Sequence, residues 1–197
     1  MKIIAVYNDM VSADHIGSKI LVWPDSVMID SGKPLFFPEG NDMLILGIGA
    51  KIDAVGKSIR PKFAHRYFKD IFPMAFILRQ NVARQILIGE DPKACDIVSD
   101  YCIIHGTSFV EDIPDLLKLH LSLSSLKIEE QSFKFDIEIK DTSGRINKAI
   151  ASASTVNTLK TGDIVAFFSD FATLIEHDSL LRVASSNNNV LIENKLK

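Results

Sequence analysis

Residues 43–52 read MLILGIGAKI and form a continuous apolar run. Apart from Lys51, every position in this stretch is apolar or glycine, which predicts a β-strand. Gly47 and Gly49 lie in the middle of the run. Glycine inside a strand marks either a bulge or a place where another group approaches the backbone closely. We therefore expect one of these two features at the centre of this strand.

Further strand-like segments lie on both sides of this run. They are rich in β-branched or large apolar residues, or they alternate apolar with polar residues. Turns that contain Gly, Pro, Asn, Asp or Ser separate them. Many strands with a few helices predict a β-rich α+β fold. The predicted strands are Lys2–Val6, Ile20–Trp23, Val27–Ile29, Leu35–Phe37, Met43–Ile52, Ile71–Leu78, Leu119–Leu126, Ser132–Lys140, Ile164–Phe168, Leu180–Val183 and Val190–Ile192.

Two segments are predicted to be helical. Ser58 is a candidate N-cap, and Pro61 suits the first turn of a short amphipathic helix. A second helix is predicted over Ile146–Asn157, after a turn at Asp141–Gly144. Residues 81–89 fit either a helix or a loop. The apolar positions of the first helix are Phe63, Ala64, Tyr67 and Phe68.

Composition indicates a globular protein and excludes several functional classes. The chain is 47% hydrophobic and 24% charged, with a net charge of −3. No segment stands out as rich in lysine or arginine, so we predict neither nucleic-acid nor membrane binding. Cys95 and Cys102 are too few for a disulfide framework. Because no apolar stretch has the length of a membrane span or a signal peptide, we expect a cytoplasmic protein.

Three segments carry motifs whose order along the chain is informative. The first is WPDSVMI at residues 23–29, followed by Gly-Lys-Pro at 32–34. The second is VGKSI at 55–59 with the helix after it, and the third is NTLKTGD at 157–163. All three resemble motifs of the fumarylacetoacetate hydrolase (FAH) family. The first resembles its Lys-Pro-Asp-Ser-Ala-Leu strand and Gly-Lys-Pro turn, and the second its Gly-Lys-x-Ile turn and Ala-x-x-Tyr helix. The third resembles its Thr-Leu-x-x-Gly-Asp loop.

This resemblance implies a fold and a chemistry. The fold would be an FAH-like mixed β-sheet roll or barrel with a few short helices, usually assembled as a homodimer. It would form a single domain over residues 1–197, with N-terminal strands and a turn in 1–40 and the main roll in 41–197. Family members hydrolyse, decarboxylate or isomerise 2-oxo acids and acylpyruvates. They use Mg²⁺ or Mn²⁺ to polarise the substrate oxygens.

The family's metal ligands fall on residues that lack oxygen-bearing side chains. Counting back from the Gly-Lys-x-Ile turn places the family's Glu-x-Glu pair at Ile45 and Gly47. Counting forward from the Ala-x-x-Tyr helix places its Asp ligand at Phe76, and a slip of one residue gives Ala75 or Ile77. Hard divalent cations bind carboxylate oxygens. We therefore predict a degenerate site that holds no metal cofactor.

Other positions are candidates for lining the remaining pocket, although core packing or surface exposure would also explain each of them. The family lysine before Pro is Trp23 here, and a later substrate-binding lysine aligns near Cys95. Tyr7 and Asn8 lie near the position of the family's Arg-Asn-Tyr motif, and Arg79 follows the strand that would have carried the Asp ligand. The candidate set is Tyr7, Asn8, Trp23, Ile45, Gly47, Phe76, Arg79 and Cys95.

Two further comparisons with the family concern the N-terminal loop and the C-terminal strand. Some family hydrolases carry a catalytic histidine in the loop where this chain has His15. A relay through Asp14, His15 and water is one interpretation, and a solvated surface histidine is the other. The family's Gly-Thr-Pro after the C-terminal strand is Phe168-Ser169-Asp170 here.

Three hypotheses remain open at this point. In the first, the chain is a catalytically inactive, homodimeric binding or interaction protein with room for a small-molecule ligand. In the second, it is a divergent hydrolase, decarboxylase or isomerase of 2-oxo acids or acylpyruvates, similar to 2-hydroxyhepta-2,4-diene-1,7-dioate isomerase. In the third, the motifs are convergent turns in an unrelated β-rich domain, which the fold itself decides.

Overall fold

A computed structural model describes residues 1–7, 18–36, 42–92, 102–108, 115–127 and 131–197. The described residues form two β-sheets, helices α1 (Gln80–Leu87) and α2 (Thr142–Val156), and short 3-10 helices at Asp25–Val27 and Pro61–Arg66. No helix among them is both long and apolar enough to cross a membrane. The strands are β1 (Lys2–Tyr7), β2 (Lys19–Pro24), β3 (Met28–Asp30), β4 (Asp42–Ile52), β5 (Phe68–Arg79), β6 (Cys102–His105), β7 (Leu116–Ser125), β8 (Ser132–Lys140), β9 (Ile164–Leu174), β10 (Ser179–Ser185) and β11 (Val190–Leu196).

The larger sheet curls because its two edges are neighbours in the sequence. Its strand order is β2-β1-β9-β4-β5-β6-β3, so β2 and β3 lie at opposite edges. Only the short 3-10 helix Asp25–Val27 separates these two strands along the chain. The edges must therefore approach each other, as in a barrel. Accordingly, the rings of Trp23 on β2 and Phe76 on β5 lie 6.0 Å apart, although three strands stand between β2 and β5.

The smaller sheet covers the outer surface of the curled sheet. Its order is β11-β10-β7-β8, and all its neighbouring strands are antiparallel. Its inward residues, such as Leu119 and Ile192, pack with residues from the larger sheet, such as Leu46 and Ile48. Helix α2 contributes Ile146 and other apolar residues to this cluster between the sheets, which we call the outer core. The larger sheet is thus buried on both faces, which explains the continuous apolar sequence of β4.

The concave side of the larger sheet encloses a second core, which we call the interior core. Alternate residues of each strand point to this side, as the two-residue period of a strand requires. Three residues of α1 close it from one end, and their burial explains why the ambiguous segment 81–89 folds largely as a helix. The interior core consists of Ile3, Ala5, Tyr7, Leu21, Trp23, Ile45, Phe72, Met74, Phe76, Leu78, Val82, Ala83, Ile86, Ile103, Ile164, Ala166 and Phe168.

The predicted β-rich α+β class and most predicted strands are confirmed. The first predicted helix is different in detail: it is a 3-10 helix over Pro61–Arg66, and Tyr67 lies outside it. Ser58 does not cap it but lies in the left-handed region, with φ 52°. Its backbone N–H instead donates to the carbonyl of Ser154 on α2. Arg60 precedes Pro61 and is extended, so the helix begins only after it.

The predicted turn at Asp141–Gly144 is wrong for most of its residues. Helix α2 already begins at Thr142, and Asp141 precedes it in the left-handed conformation. Aspartate tolerates this conformation better than most residues because its short side chain can bond locally. The Asp141 carboxylate lies beside Gly144, inside the first turn of the helix. The helical segment after Ile146 was predicted correctly.

Asp163 fastens the first strand to the turn before β9. Its buried carboxylate accepts hydrogen bonds from the backbone N–H of Lys2 at 3.1 Å and of Lys160 at 2.9 Å. The Lys2 ammonium also approaches it, with Nζ at 2.8 Å. Burial alone would raise the pKa of this carboxyl group, but these hydrogen bonds outweigh it and lower the pKa. The Gly-Asp motif noted in the sequence is therefore a structural tie.

We predict that Asp163→Asn lowers the free energy of unfolding by about 1–3 kcal/mol at neutral pH, because it weakens charge-assisted hydrogen bonds to a buried group. The folded-state pKa is depressed, so this stabilisation is complete above the unfolded value of about 3.9 and is lost as the pH falls below it. Urea unfolding of the unmodified chain and of Asp163→Asn, at neutral and at acidic pH, measures the difference in their free energies of unfolding. A difference that stays constant down to pH values where Asp163 is protonated would contradict the assignment.

Candidate functional site

The structure brings together the three residues that the resemblance places at metal-ligand positions. Ile45 on β4 and Phe76 on β5 are direct cross-strand partners. Gly47 lies two residues further along β4 and therefore on the same concave face. All three positions thus border one small region of the interior core. The alternatives Ala75 and Ile77 flank Phe76, and both belong to the outer core instead.

Phe76 fills the space directly over Gly47. A Cβ atom at residue 47 would lie 2.8 Å from Cε2 of Phe76 and 2.7 Å from the carbonyl oxygen of Phe167. Real Cβ atoms do not approach other atoms this closely, so only glycine fits beneath the ring. At Gly49 a Cβ atom would likewise collide with Met74 and Phe72. The close approach that the two glycines predicted is therefore confirmed.

Further aromatic rings complete the packing around Phe76. The ring of Phe168 meets it edge-on, with centroids 4.7 Å apart. The ring of Tyr7 lies 6.4 Å from that of Phe168, and Trp23 contacts Phe76 from the opposite side. Such tilted and edge-on contacts are favourable beyond the burial of their area. The exposed fractions are 0% for Ile45 and Phe76, 3% for Trp23, 4% for Tyr7 and 6% for Phe168.

Two polar atoms lie at the border of this region. The Tyr7 hydroxyl donates to Oδ1 of Asp91 at 3.0 Å, and Asp91 also pairs with Lys19. Burial and the neighbouring Asp91 raise the pKa of Tyr7, so its hydroxyl stays protonated. The indole Nε1 of Trp23 is buried and has no hydrogen-bond partner among the described residues. Neither group is a ligand for a hard cation.

The other candidate residues do not join this group. Arg79 ends β5 three residues after Phe76, so the strand alternation directs it to the opposite face, and it is exposed. Asn8, His15 and Cys95 lie outside the described residues. Sequence reasoning treated Phe168 only as a replacement for the family's Gly-Thr-Pro. The structure adds it to the aromatic group, and its large apolar side chain was the available signal.

The residues that the resemblance places at metal-ligand positions, Ile45, Gly47 and Phe76, do not fit Mg²⁺ or Mn²⁺. Isoleucine, glycine and phenylalanine offer no side-chain oxygen, and the ring of Phe76 occupies the volume over Gly47. Elsewhere in the part of the chain that the structure describes, no three His, Cys, Asp or Glu residues converge on a common point. The donor set that such a cation requires is therefore missing among these residues.

Several solved structures share this architecture at low sequence identity. An isomerase from Mycobacterium smegmatis, 5-carboxymethyl-2-hydroxymuconate delta-isomerase, superimposes with a TM-score of 0.76 at 16% identity, over 99% of this chain and 78% of its own. A fumarylpyruvate hydrolase from Pseudomonas aeruginosa, in complex with Mn²⁺ and pyruvate, gives a TM-score of 0.75 at 14% identity, over 100% and 90% of the chains. This chain has the fold of the FAH family.

A third structure supports the same assignment. A protein from Yersinia pestis CO92 named for the fumarylacetoacetate hydrolase family superimposes with a TM-score of 0.74 at 15% identity, over 100% of this chain and 92% of its own. No family model and no curated protein sequence matches the chain. The FAH-family fold excludes the hypothesis of convergent turns in an unrelated domain. At these identities the likeness establishes the fold, and the function has to be argued from the residues.

We predict that Gly47→Ala lowers the free energy of unfolding by about 1–3 kcal/mol, because the added methyl group overpacks the interior core. Phe76→Leu removes the ring atoms that the methyl group would meet, so the double variant should lose less stability than the sum of the two single variants. Chemical denaturation of all four proteins measures this coupling. Additive losses would contradict the packing of Phe76 on Gly47, because residues in contact couple.

Proposed function

We propose that this chain is an FAH-fold protein without metal-dependent catalysis, and that it acts as a binding or interaction protein. The observation that supports the proposal is the Phe76 ring packed on Gly47. These are two of the positions that the resemblance assigns to metal ligands. A missing ligand alone could be replaced from another loop. The Phe76 ring also removes the space that a ligating side chain at residue 47 would need.

The substrate would be excluded by the same packing. A 2-oxo acid is an anion, and burying its charge without a compensating cation or hydrogen bonds is very costly. Around Phe76 it would meet Ile45, Trp23 and Phe168, which are apolar and buried. The Trp23 indole N–H is a single donor, and one donor does not replace the two positive charges of the family's metal ion.

A second candidate function is a divergent hydrolase, decarboxylase or isomerase of 2-oxo acids or acylpyruvates. It is favoured by the fold, because structural neighbours are named as fumarylpyruvate hydrolase and as isomerases. Such an enzyme would require a relocated metal or a metal-free mechanism, for which His15 is the candidate base. For either function we propose that the protein is a homodimer and that it acts in the cytoplasm. Light scattering of the purified protein measures the oligomeric state.

We expect no turnover of acylpyruvates, fumarylpyruvate or oxaloacetate by the purified full-length chain, whether Mg²⁺, Mn²⁺ or EDTA is present. The reason is that nothing in the interior core polarises a 2-oxo group. The P. aeruginosa fumarylpyruvate hydrolase is the positive control in the same assay. Turnover that EDTA abolishes would contradict the proposal and support a relocated metal. Turnover that survives EDTA and disappears in His15→Ala would support the metal-free enzyme.

A further inference from the structure

Two segments that are distant in sequence combine into one basic surface. Between Asp53 and Asp70, and again between Asp141 and Asp163, the chain contains no acidic residue. Eight of its 22 lysines and arginines lie in these two segments, together with none of its 25 acidic residues. Because the first segment holds the 3-10 helix Pro61–Arg66 and the second holds α2, their packing brings these charges together.

Hydrogen bonds fix the two segments against each other. Ser154 on α2 accepts the N–H of Ser58 at its carbonyl oxygen, at 2.9 Å, and the N–H of Ile59 at its hydroxyl, at 2.8 Å. Gly56 and Leu159 exchange two backbone hydrogen bonds. These hydrogen bonds therefore hold the backbone of the two segments side by side. We name the surface formed here the basic face, whose charged residues are Lys57, Arg60, Lys62, Arg66, Lys148 and Lys160.

The charges of the basic face are largely uncompensated. All six side chains are on exposed residues. Among the described residues, the one ion pair that any of them forms is a 4.0 Å contact between Lys148 and Asp141. The other two cations of the segments are engaged elsewhere, since Lys69 pairs with Asp53 and Arg145 donates to the carbonyl of Phe168. A chain with a net charge of −3 thus keeps a local surplus of positive charge.

Apolar side chains are exposed within the same surface. Phe63 is 37% exposed, and Val55 and Val156 are each 65% exposed. The ammonium of Lys62 lies 4.8 Å from the Phe63 ring centroid, and the Arg66 guanidinium carbon lies 5.0 Å from it. The ring is therefore flanked by two cations. A surface that combines exposed apolar groups with unpaired cations is suited to an anionic partner that also has apolar groups.

A groove crosses the basic face between α2 and the turn before the 3-10 helix. Its volume is about 490 Å³, which is within the range of ligand sites. Arg60 and Lys148 supply the charges among its described lining residues, none of which carries a carboxylate. Ile20, Pro61 and Val156 give it apolar walls. The Ser152 hydroxyl donates to the Ser18 hydroxyl at 3.1 Å and keeps its capacity to accept a hydrogen bond.

We propose that this groove binds an acidic segment of a partner protein, with carboxylates at Arg60 and Lys148 and an apolar side chain between them. A short segment suits the charge distribution better than an extended polyanion or an anionic bilayer. Charges beyond a screening length of about 8 Å contribute little at physiological salt, so a segment in the groove meets only the nearby cations. A larger anionic surface would also meet the acidic remainder of the chain. The proposal does not depend on the loss of metal chemistry.

The test is fluorescence anisotropy with a fluorescein-labelled peptide, Gly-Asp-Glu-Leu-Asp-Glu-Phe-Asp-Glu-Leu-Gly, at an ionic strength of about 0.15 M. A matched peptide with Asn and Gln in place of Asp and Glu is the charge control. We expect the acidic peptide to bind and the amide peptide to bind at least about tenfold more weakly. Arg60→Glu combined with Lys148→Glu should weaken binding of the acidic peptide by about tenfold or more.

The matched control variant carries the same change in net charge on the smaller sheet. Lys134→Glu combined with Lys195→Glu alters exposed lysines outside the basic face and should leave the affinity within about twofold. Equal losses in both variants, equal binding of the two peptides, or no binding by the unmodified chain would overturn the proposal. Binding to phosphatidylserine-containing vesicles or to single-stranded DNA that is tighter than binding to the acidic peptide would also overturn it. So would self-association of the unmodified chain that the double variant Arg60→Glu, Lys148→Glu abolishes.

Discussion

The short connection between β2 and β3 is the constraint on which the rest of the structure depends. Because Asp25–Val27 joins strands at opposite edges of the larger sheet, the sheet must curl and enclose a volume on its concave side. An enclosed volume has to be filled, since voids in a protein interior are costly. In this chain side chains fill it, and the contact at its centre is that between Phe76 and Gly47.

This packing separates the fold from the chemistry that accompanies it in FAH-family enzymes. The turns that shape the roll, including the tie at Asp163, do not require a metal ion. A large ring at residue 76 and the absence of a side chain at residue 47 are complementary, so the two changes are explained together by one packing arrangement. Apolar burial then supplies stability at the place where a cation and its ligands would otherwise have to be accommodated.

Much of the fold was predictable from the sequence, because strand periodicity and turn residues are local signals. The positions Ile45, Gly47 and Phe76 were found by counting from motifs, and the structure places them side by side. The ring over Gly47 was not predictable, since it depends on the pairing of two strands and on the curl of the sheet. The basic face was missed for a similar reason: Arg60 and Lys148 lie far apart in sequence, and neither segment is a dense basic run. Asp141 was assigned to a turn because Gly144 follows it, whereas helix α2 continues through that glycine.

We propose that the interior core holds the Phe76 ring at a position that the resemblance assigns to a metal ligand. The most direct measurement is an anomalous diffraction map from crystals of this chain grown with Mn²⁺. The account predicts the Phe76 ring over Gly47 and no anomalous peak on the concave side of the larger sheet. A Mn²⁺ ion held there by protein carboxylates, with Phe76 displaced, would contradict it.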